Sequence, residues 1–291
     1  MNITFIGLGI MGSRMAANLL AEDYSITVHN RTKFKADTLV ERGATWADSP
    51  ALAAKDCDIL FTVLSEPGTV RDAALGIHGF LQNMKPGSLW IDSSTTNPAF
   101  AREMKAIAQE KGVRFMDAPV GGSKDAAQDG ELTFIAGGNP DDLKEVQPLF
   151  GIMGRYTMHV GDTGMGISMK LVLNHLLATS MVGFAEGLAL GTSLGISKEF
   201  LLENLPKSPV TAGFVRGKVG KVASGDYDPD FPLRWMQKDL HMASLAAYEA
   251  DTPMPLSNAA KEIYRLAIRD GYGDMDFSAI CELLLKNHET K

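Results

Sequence analysis

ITFIGLGIMG, residues 3–12, decides the fold. Ile3 to Ile6 suit a short buried strand, and Gly7, Gly9 and Gly12 follow it at GxGxxG spacing where a helical pattern begins. Alone, such a triplet says little in a chain with 29 glycines. Set between a strand and a helix, it is specific. Gly7 lets the chain turn tightly, Gly9 leaves room for a pyrophosphate against the backbone, and Gly12 lets helix and strand pack closely. Leu8, Ile10 and Met11 share that contact surface, and the first N–H groups of the helix face the phosphates. The stretch predicts dinucleotide binding.

Outward from this turn, strands and helices alternate. SITVHN (25–30), CDILFTVL (57–64), SLWIDSST (88–95), VRFMDAPVGG (113–122) and ELTFIAGG (131–138) read as strands. Helical patterns fall at 11–23, 35–43 and 97–112. This β-α-β order predicts an α/β fold with a Rossmann-type doubly wound sheet. From Gly164 onward the pattern is all helical, over 166–194, 198–205, 209–224, 232–250, 255–270 and 276–287. The first of these spans roughly 40 Å at 1.5 Å per residue. The expected division is a nucleotide-binding domain at 1–163 and an all-α substrate and oligomerisation domain at 164–291, joined through the long helix.

The 291 residues carry a formal net charge of -7, with 45% apolar and 22% charged side chains. That is a soluble globular composition, and acidity without a basic tail argues against nucleic acid as a partner. The two cysteines, Cys57 and Cys281, belong to no CxxC pair and read as reduced core thiols. No basic leader precedes the first apolar run, so the expected location is cytoplasmic. Residues 171–190 come closest to a membrane span, but His175 and Glu186 interrupt them, and no membrane is expected. The apolar faces of the helical half suit a homo-oligomer, a dimer or tetramer.

The end of the second strand, VHNRTKFK (28–35), indicates which dinucleotide is bound. NAD-preferring sites place Asp or Glu there to hold the ribose 2'-OH. Here Asn30, Arg31, Thr32 and Lys35 stand in that place, and cations with a hydroxyl suit the 2'-phosphate of NADP(H). A solvated loop arginine is the lesser alternative for Arg31, and the missing acid counts against NAD in either case. Other loops leave strand ends on the same side. LSEPG, with Leu64 and Ser65, falls near the nicotinamide ribose. DSSTTN offers the hydroxyls of Ser94 and Thr95. In DAPVGGSK, Gly121, Gly122 and Ser123 can present N–H groups to a carboxylate.

GMGISMKLVLNHLL (164–177) puts Lys170 and Asn174 one turn apart on the long helix, on one side of it. A lysine ammonium can donate the proton that a carbonyl oxygen needs when hydride reaches its carbon. A lysine snorkelling from a helix surface has the same pattern, so spacing leaves both readings open. No CxxC or HExxH occurs, and no histidine–carboxylate cluster has metal spacing.

Four motifs in order, FIGLGIMGSRMAANL (5–19), DAPVGGSKDAAQDGEL (117–132), GxxxKLVLN (166–174) and QKDL (237–240), make nearly the whole chain resemble the β-hydroxyacid dehydrogenase family. The resemblance implies Lys170 as catalytic acid–base and Asn174 as its partner. It implies substrate contacts from Thr95, Gly121, Gly122 and Ser123. Lys238 is implied as a cofactor contact and Asp239 as a residue that orders the site. VHNRT, DPDFPLRWMQKDL (228–240) and GYGDMDFSAI (271–280) look most like the glyoxylate/succinic semialdehyde reductases of that family, in which Phe231 is expected to line the substrate pocket. The implied substrate is a short carboxylate-bearing aldehyde. Gly121 departs from the family's usual serine and removes one hydroxyl from the carboxylate loop. Two alternatives are an oxidative 3-hydroxyisobutyrate or tartronate semialdehyde type of enzyme, and a catalytically silent nucleotide-binding module; VHNRT and the retained Lys170 speak against them respectively.

Overall fold

The computed structural model describes residues 1–286 and falls into two compact units, Met1–Leu171 and a second beginning at Val172. The first unit runs β1 (Asn2–Ile6), α1 (Gly12–Ala21), β2 (Ser25–His29), α2 (Asp37–Glu41), β3 (Thr45–Trp46), α3 (Pro50–Ala53), β4 (Ile59–Thr62) and α4 (Pro67–Leu75). It continues with β5 (Leu89–Asp92), α5 (Pro98–Glu110), β6 (Arg114–Asp117), β7 (Val120–Gly121), α6 (Lys124–Gln128), β8 (Leu132–Gly137), α7 (Pro140–Met153) and β9 (Gly154–Gly161). The sheet order is β3-β2-β1-β4-β5-β6-β8-β7, with β9 against β8.

The strands from β3 through β6 pair in parallel, and the inner ones, β1, β4, β5 and β6, bury side chains on both faces, whereas β2 buries only Ile26 and Val28. Alternation along β1 sends Phe5 to one layer, stacked on Phe61 at 4.8 Å, and Ile6 to the other with Leu60 and Trp90. Trp90 meets Phe80 and Phe115 edge-on, with centroids 4.9 and 4.8 Å apart. Register brings Ile6, His29, Thr62, Asp92 and Asp117 into line across the sheet. The loops that follow these residues therefore leave one edge together, where an open parallel sheet binds ligands.

The far end of the sheet differs from the simple alternation. β8 runs antiparallel to β6 and β7, and β9 then pairs with β8 in parallel. Sequence patterning overlooks β3, α3, α6, α7 and β9. Pro148 inside α7 disguises that helix, although Asn139 caps it and Asp141 and Asp142 occupy its first turn. β9 has a mostly half-exposed or exposed course that blurs its alternation.

The second unit is helical: the larger part of α8 (Met165–Ser193), which begins in the first unit, then α9 (Lys198–Asn204), α10 (Val219–Ser224), α11 (Leu233–Glu249), α12 (Pro255–Ala267) and α13 (Ile280–Leu285). Met181, Ala185, Leu188, Leu240, Tyr264 and Ile280 belong to its core. The stretch expected as one helix over 209–224 is a 3-10 segment, Gly213–Lys218, before α10, because Gly213, Gly217 and Gly220 weaken it. The terminal helix starts as a 3-10 turn capped by Asp276, and Asn287, its expected last residue, lies outside the described residues. Among the described residues α8 is the helix long and apolar enough to cross a membrane by length and composition, despite His175 and Glu186.

Candidate active site

The glycine turn is built as its spacing requires. A Cβ on Gly7, whose φ is +102°, sits 2.3 Å from the Val63 carbonyl oxygen, and one on Gly12 sits 2.1 Å from the Gly7 oxygen. Both approaches are impossible for a side chain, so these two glycines interlock β1, α1 and the end of β4. A Cβ on Gly9 meets nothing within 4 Å, which leaves open space beside that backbone for a ligand. Helices α3, α5, α6 and α7 start on side-chain caps from Ser49, Asn97, Ser123 and Asn139. α1 has no such cap and no acid in its first turn. No side chain of that turn therefore competes with an anion at this helix end, as a pyrophosphate requires. The turn thus fits a dinucleotide.

Asn30 ties the site together rather than facing a ligand with its whole side chain. Its Oδ1 accepts from the Leu8 N–H at 3.0 Å, and its Nδ2 donates to the Thr32 carbonyl at 2.9 Å. Arg31 and Lys35 are exposed beside it, and Thr32 is half-buried. Arg31 makes no ion pair among the described residues. No carboxylate lies between Val28 and Lys35.

The neighbouring loop is held by a buried chain. Trp90 Nε1 donates to Thr62 Oγ1 at 2.9 Å, and Thr62 Oγ1 donates to Asp92 Oδ1 at 2.8 Å. Asp92 Oδ1 accepts from the Ser94 N–H at 3.1 Å, and Ser94 Oγ accepts from the Leu64 N–H at 2.9 Å. Ser94 is therefore corrected from a candidate substrate hydroxyl to a buried positioning group for Leu64, while Thr95 stays half-buried and Ser65 half-buried after Leu64.

In the glycine loop after β6, the two glycines differ. Gly122 has φ +139° and a Cβ there would lie 2.9 Å from Leu132 Cδ2, whereas one on Gly121 would find only ordinary contact with Thr133 at 3.9 Å. Ser123 spends its hydroxyl as the cap of α6, accepting from the Ala126 N–H at 3.2 Å.

Asp117, just upstream, escaped notice as a functional residue. It is 2% exposed and accepts the N–H groups of Gly164 at 2.7 Å and Ile167 at 2.8 Å. It thereby anchors the start of α8, the helix that carries Lys170. Burial pushes its carboxyl up to about 6 against the pull of those donors. The readable signal is an acid ending the apolar strand RFMD, a poor place for a charge unless it is hydrogen-bonded.

Lys170 lies half-buried on α8 at the end of the first unit. In the second unit Asn174 is 2% exposed and donates Nδ2 to Asp239 Oδ2 at 2.6 Å. Lys238 Nζ approaches Asp239 Oδ1 at 2.7 Å. This approach compensates charge without the alignment of a hydrogen bond, since Oδ1 has no hydrogen-bond partner. Asn174 thus uses its amide to hold Asp239, a pairing that sequence spacing did not reveal. Phe231 is half-buried, packs on the second unit's core and lies 6.0 Å from the Phe277 ring.

Comparison with known proteins places these features in a family. Residues 2–161 match the NAD binding domain of 6-phosphogluconate dehydrogenase. Residues 164–284 match the NAD-binding model of NADP-dependent 3-hydroxyisobutyrate dehydrogenase. Glyoxylate/succinic semialdehyde reductase 1 of Arabidopsis thaliana is 36% identical over 289 residues, which cover 99% of this chain and 100% of that protein. The cytokine-like nuclear factor N-PAC of Homo sapiens is 34% identical over 278 residues, covering 96% of this chain and half, 50%, of its own length. Among solved structures, the 3-hydroxyisobutyrate dehydrogenase of Mycobacterium tuberculosis with L-serine has a TM-score of 0.87 at 29% identity, over 97% of this chain and 98% of that one. The chain therefore belongs to the NAD(P)-binding hydroxyacid dehydrogenase family of oxidoreductases that includes the 3-hydroxyisobutyrate dehydrogenases and the glyoxylate/succinic semialdehyde reductases.

Proposed function

We propose that this protein reduces a short carboxylate-bearing aldehyde, succinic semialdehyde or glyoxylate, to its hydroxyacid with NADPH. The observation that carries the reading is Lys170 on α8, one turn before an Asn174 that is itself fixed by Asp239. Residues 1–163 serve the nucleotide and residues 164–291 the substrate in this reading. The glycine turn and the uncapped start of α1 hold the pyrophosphate, and Arg31 with Thr32 and Lys35 takes the 2'-phosphate. NADPH held there would supply the hydride for the carbonyl carbon, being oxidised to NADP+. The carbonyl π pair moves to oxygen, and Lys170 Nζ gives that oxygen a proton, to be replaced from solvent. The N–H groups around Gly121 and Gly122 receive the carboxylate.

The test is a steady-state screen of NADPH and NADH against glyoxylate, succinic semialdehyde, tartronate semialdehyde and methylmalonate semialdehyde, followed by single-turnover hydride transfer in Lys170→Ala. Turnover of one of the first two aldehydes with NADPH, lost in the variant with nucleotide binding intact, supports the reading. Preference for NADH, or near-normal transfer without Lys170, refutes it.

A further inference from the structure

DPDFPLRWMQKDL (228–240) and GYGDMDFSAI (271–280) form one knot in the second unit. Asp276 is its centre and is 0% exposed. Its Oδ2 accepts from Lys218 Nζ at 2.9 Å, from the Asp230 N–H at 3.1 Å and from the Phe231 N–H at 3.4 Å. Its Oδ1 accepts from the Ser278 N–H at 3.1 Å and the Ser278 hydroxyl at 2.7 Å. Backbone bonds complete the tie: Asp276 N–H to Tyr227 O at 2.9 Å, Phe277 N–H to Phe231 O at 2.9 Å and Leu233 N–H to Met275 O at 2.8 Å.

Lys218 is the cation of this knot. Its ammonium also reaches Asp230 Oδ2 at 2.9 Å and lies 5.0 Å from the centre of the Phe277 ring. A lysine at 11% side-chain exposure beside a fully buried carboxylate is held in place from several directions. Buried ionic groups are poor sources of net stability, because desolvation offsets their attraction. What this pair does hold is the backbone of Asp230 and Phe231. Two residues later α11 begins, the helix that carries Lys238 and Asp239.

We infer that Lys218 and Asp276 are positioning residues for substrate recognition: together they fix the Phe231 loop and the start of α11, so that the affinity for the aldehyde depends on a pair that need not touch it. The inference rests on the proposed function, since it takes Phe231 as part of the substrate pocket. Losing Lys218 leaves Asp276 without its cation and frees the loop to shift. Phe231 then withdraws its ring from the aldehyde while the nucleotide turn in the other unit is untouched.

The experiment compares Lys218→Met, Lys218→Arg, Phe231→Ala and the Lys218→Met/Phe231→Ala double variant, with Glu282→Ala as a stability control. Glu282 accepts the Tyr227 hydroxyl at 2.9 Å and contacts neither Lys218 nor Asp276 by hydrogen bond. KM for succinic semialdehyde should rise about tenfold in Lys218→Met, the scale of one displaced apolar contact. Turnover and the NADPH Kd should stay within about twofold. Lys218→Arg, which keeps a cation that can donate to both carboxylates, should recover most of the loss. Phe231→Ala should raise KM similarly, and the double variant should be no worse than the worse single. Hydrogen exchange at the Asp230 and Phe231 amides should quicken in Lys218→Met and not in Lys218→Arg. Glu282→Ala should lower Tm without moving KM.

An unchanged KM in a folded Lys218→Met protein overturns the inference, as does additivity with Phe231→Ala or an equal KM rise in Glu282→Ala. If Lys218→Met does not fold, Lys218→Arg and exchange at the two amides in the unsubstituted protein decide: amides exchanging as fast as exposed loop amides refute the tie. Absence of aldehyde turnover in the unsubstituted protein refutes the functional reading itself, and is told apart because it precedes any substitution.

Discussion

Truncating Asn174 to alanine tests whether Asn174 and Asp239 act as one unit. Both side chains are 2% exposed, and they meet through a 2.6 Å hydrogen bond from Nδ2 to Oδ2. A hydrogen bond to a charged partner contributes about 1.5–3 kcal/mol. Asn174→Ala removes that bond but leaves Lys238 Nζ 2.7 Å from the other oxygen, so the carboxylate keeps its counter-charge. The expected loss is therefore about 2–3 kcal/mol, short of the roughly 3–5 kcal/mol that follows when a buried charge is stranded. Asp239→Ala removes the buried carboxylate that both Asn174 and Lys238 meet, and its cost should be the larger. The double variant should lose less than the sum of the singles by about 1.5–3 kcal/mol, the energy of the shared bond. Denaturant unfolding of the four proteins at 25 °C, followed by a helix signal, measures the cycle. Additivity to within about 0.5 kcal/mol would falsify the pairing. A coupling of the expected size with unchanged NADPH affinity would instead locate the bond's effect in the helical unit.

The other expectations are as follows. Lys170→Ala should lower turnover by roughly 10²- to 10⁴-fold, with NADPH binding nearly unchanged and little recovery in Lys170→Arg, because a guanidinium releases a proton poorly; Asn174→Ala should be milder in the same single-turnover assay. Arg31→Asp should raise KM for NADPH by an amount within about 3 kcal/mol and spare NADH, and equal loss with both cofactors would sink recognition by charge. Gly121→Ser should fold normally and lower KM for the aldehyde acid by about tenfold, whereas Gly122→Ser, strained by φ +139° and a 2.9 Å approach to Leu132, should lose stability in a thermal melt. Asp117, raised to about 6 by burial, binds a proton in the folded state that it releases unfolded, so its contribution is full below about pH 4 and is lost as pH rises through 6. The stability of the natural protein relative to Asp117→Asn should therefore narrow between pH 4.5 and 6.5 in urea unfolding, and a gap that widens refutes the assignment.

Local signals carried much of this far. The glycine turn, the Asn97 and Asp276 caps and the long apolar run of α8 each declare themselves within a few residues, because turns, caps and periodicity are properties of short segments. The site's side-chain partners did not. Asn174 finds Asp239 across 65 residues, Asp117 finds Ile167 across 50 and Lys218 finds Asp276 across 58. Such pairings leave no periodic trace. Ser94 shows the converse problem: a serine in a strand-end loop looks alike whether its hydroxyl meets a ligand or, as here, the Leu64 N–H. Likewise α7 was hidden by Pro148, a breaker that tertiary packing tolerates.

The two buried thiols have a practical consequence for spectroscopy. Cys57 and Cys281 are the chain's entire cysteine complement, and burial pushes them up to about 11 and about 12. At neutral pH fewer than about one Cys57 in 10⁴ is a thiolate, the form that alkylating dyes attack. The native protein should therefore accept a maleimide fluorophore only where a new cysteine is provided. Ile77, fully exposed after α4, is such a place. An Ile77→Cys protein can be labelled at one position without first stripping the natural cysteines, which leaves both packed cores intact for fluorescence titration of the nucleotide.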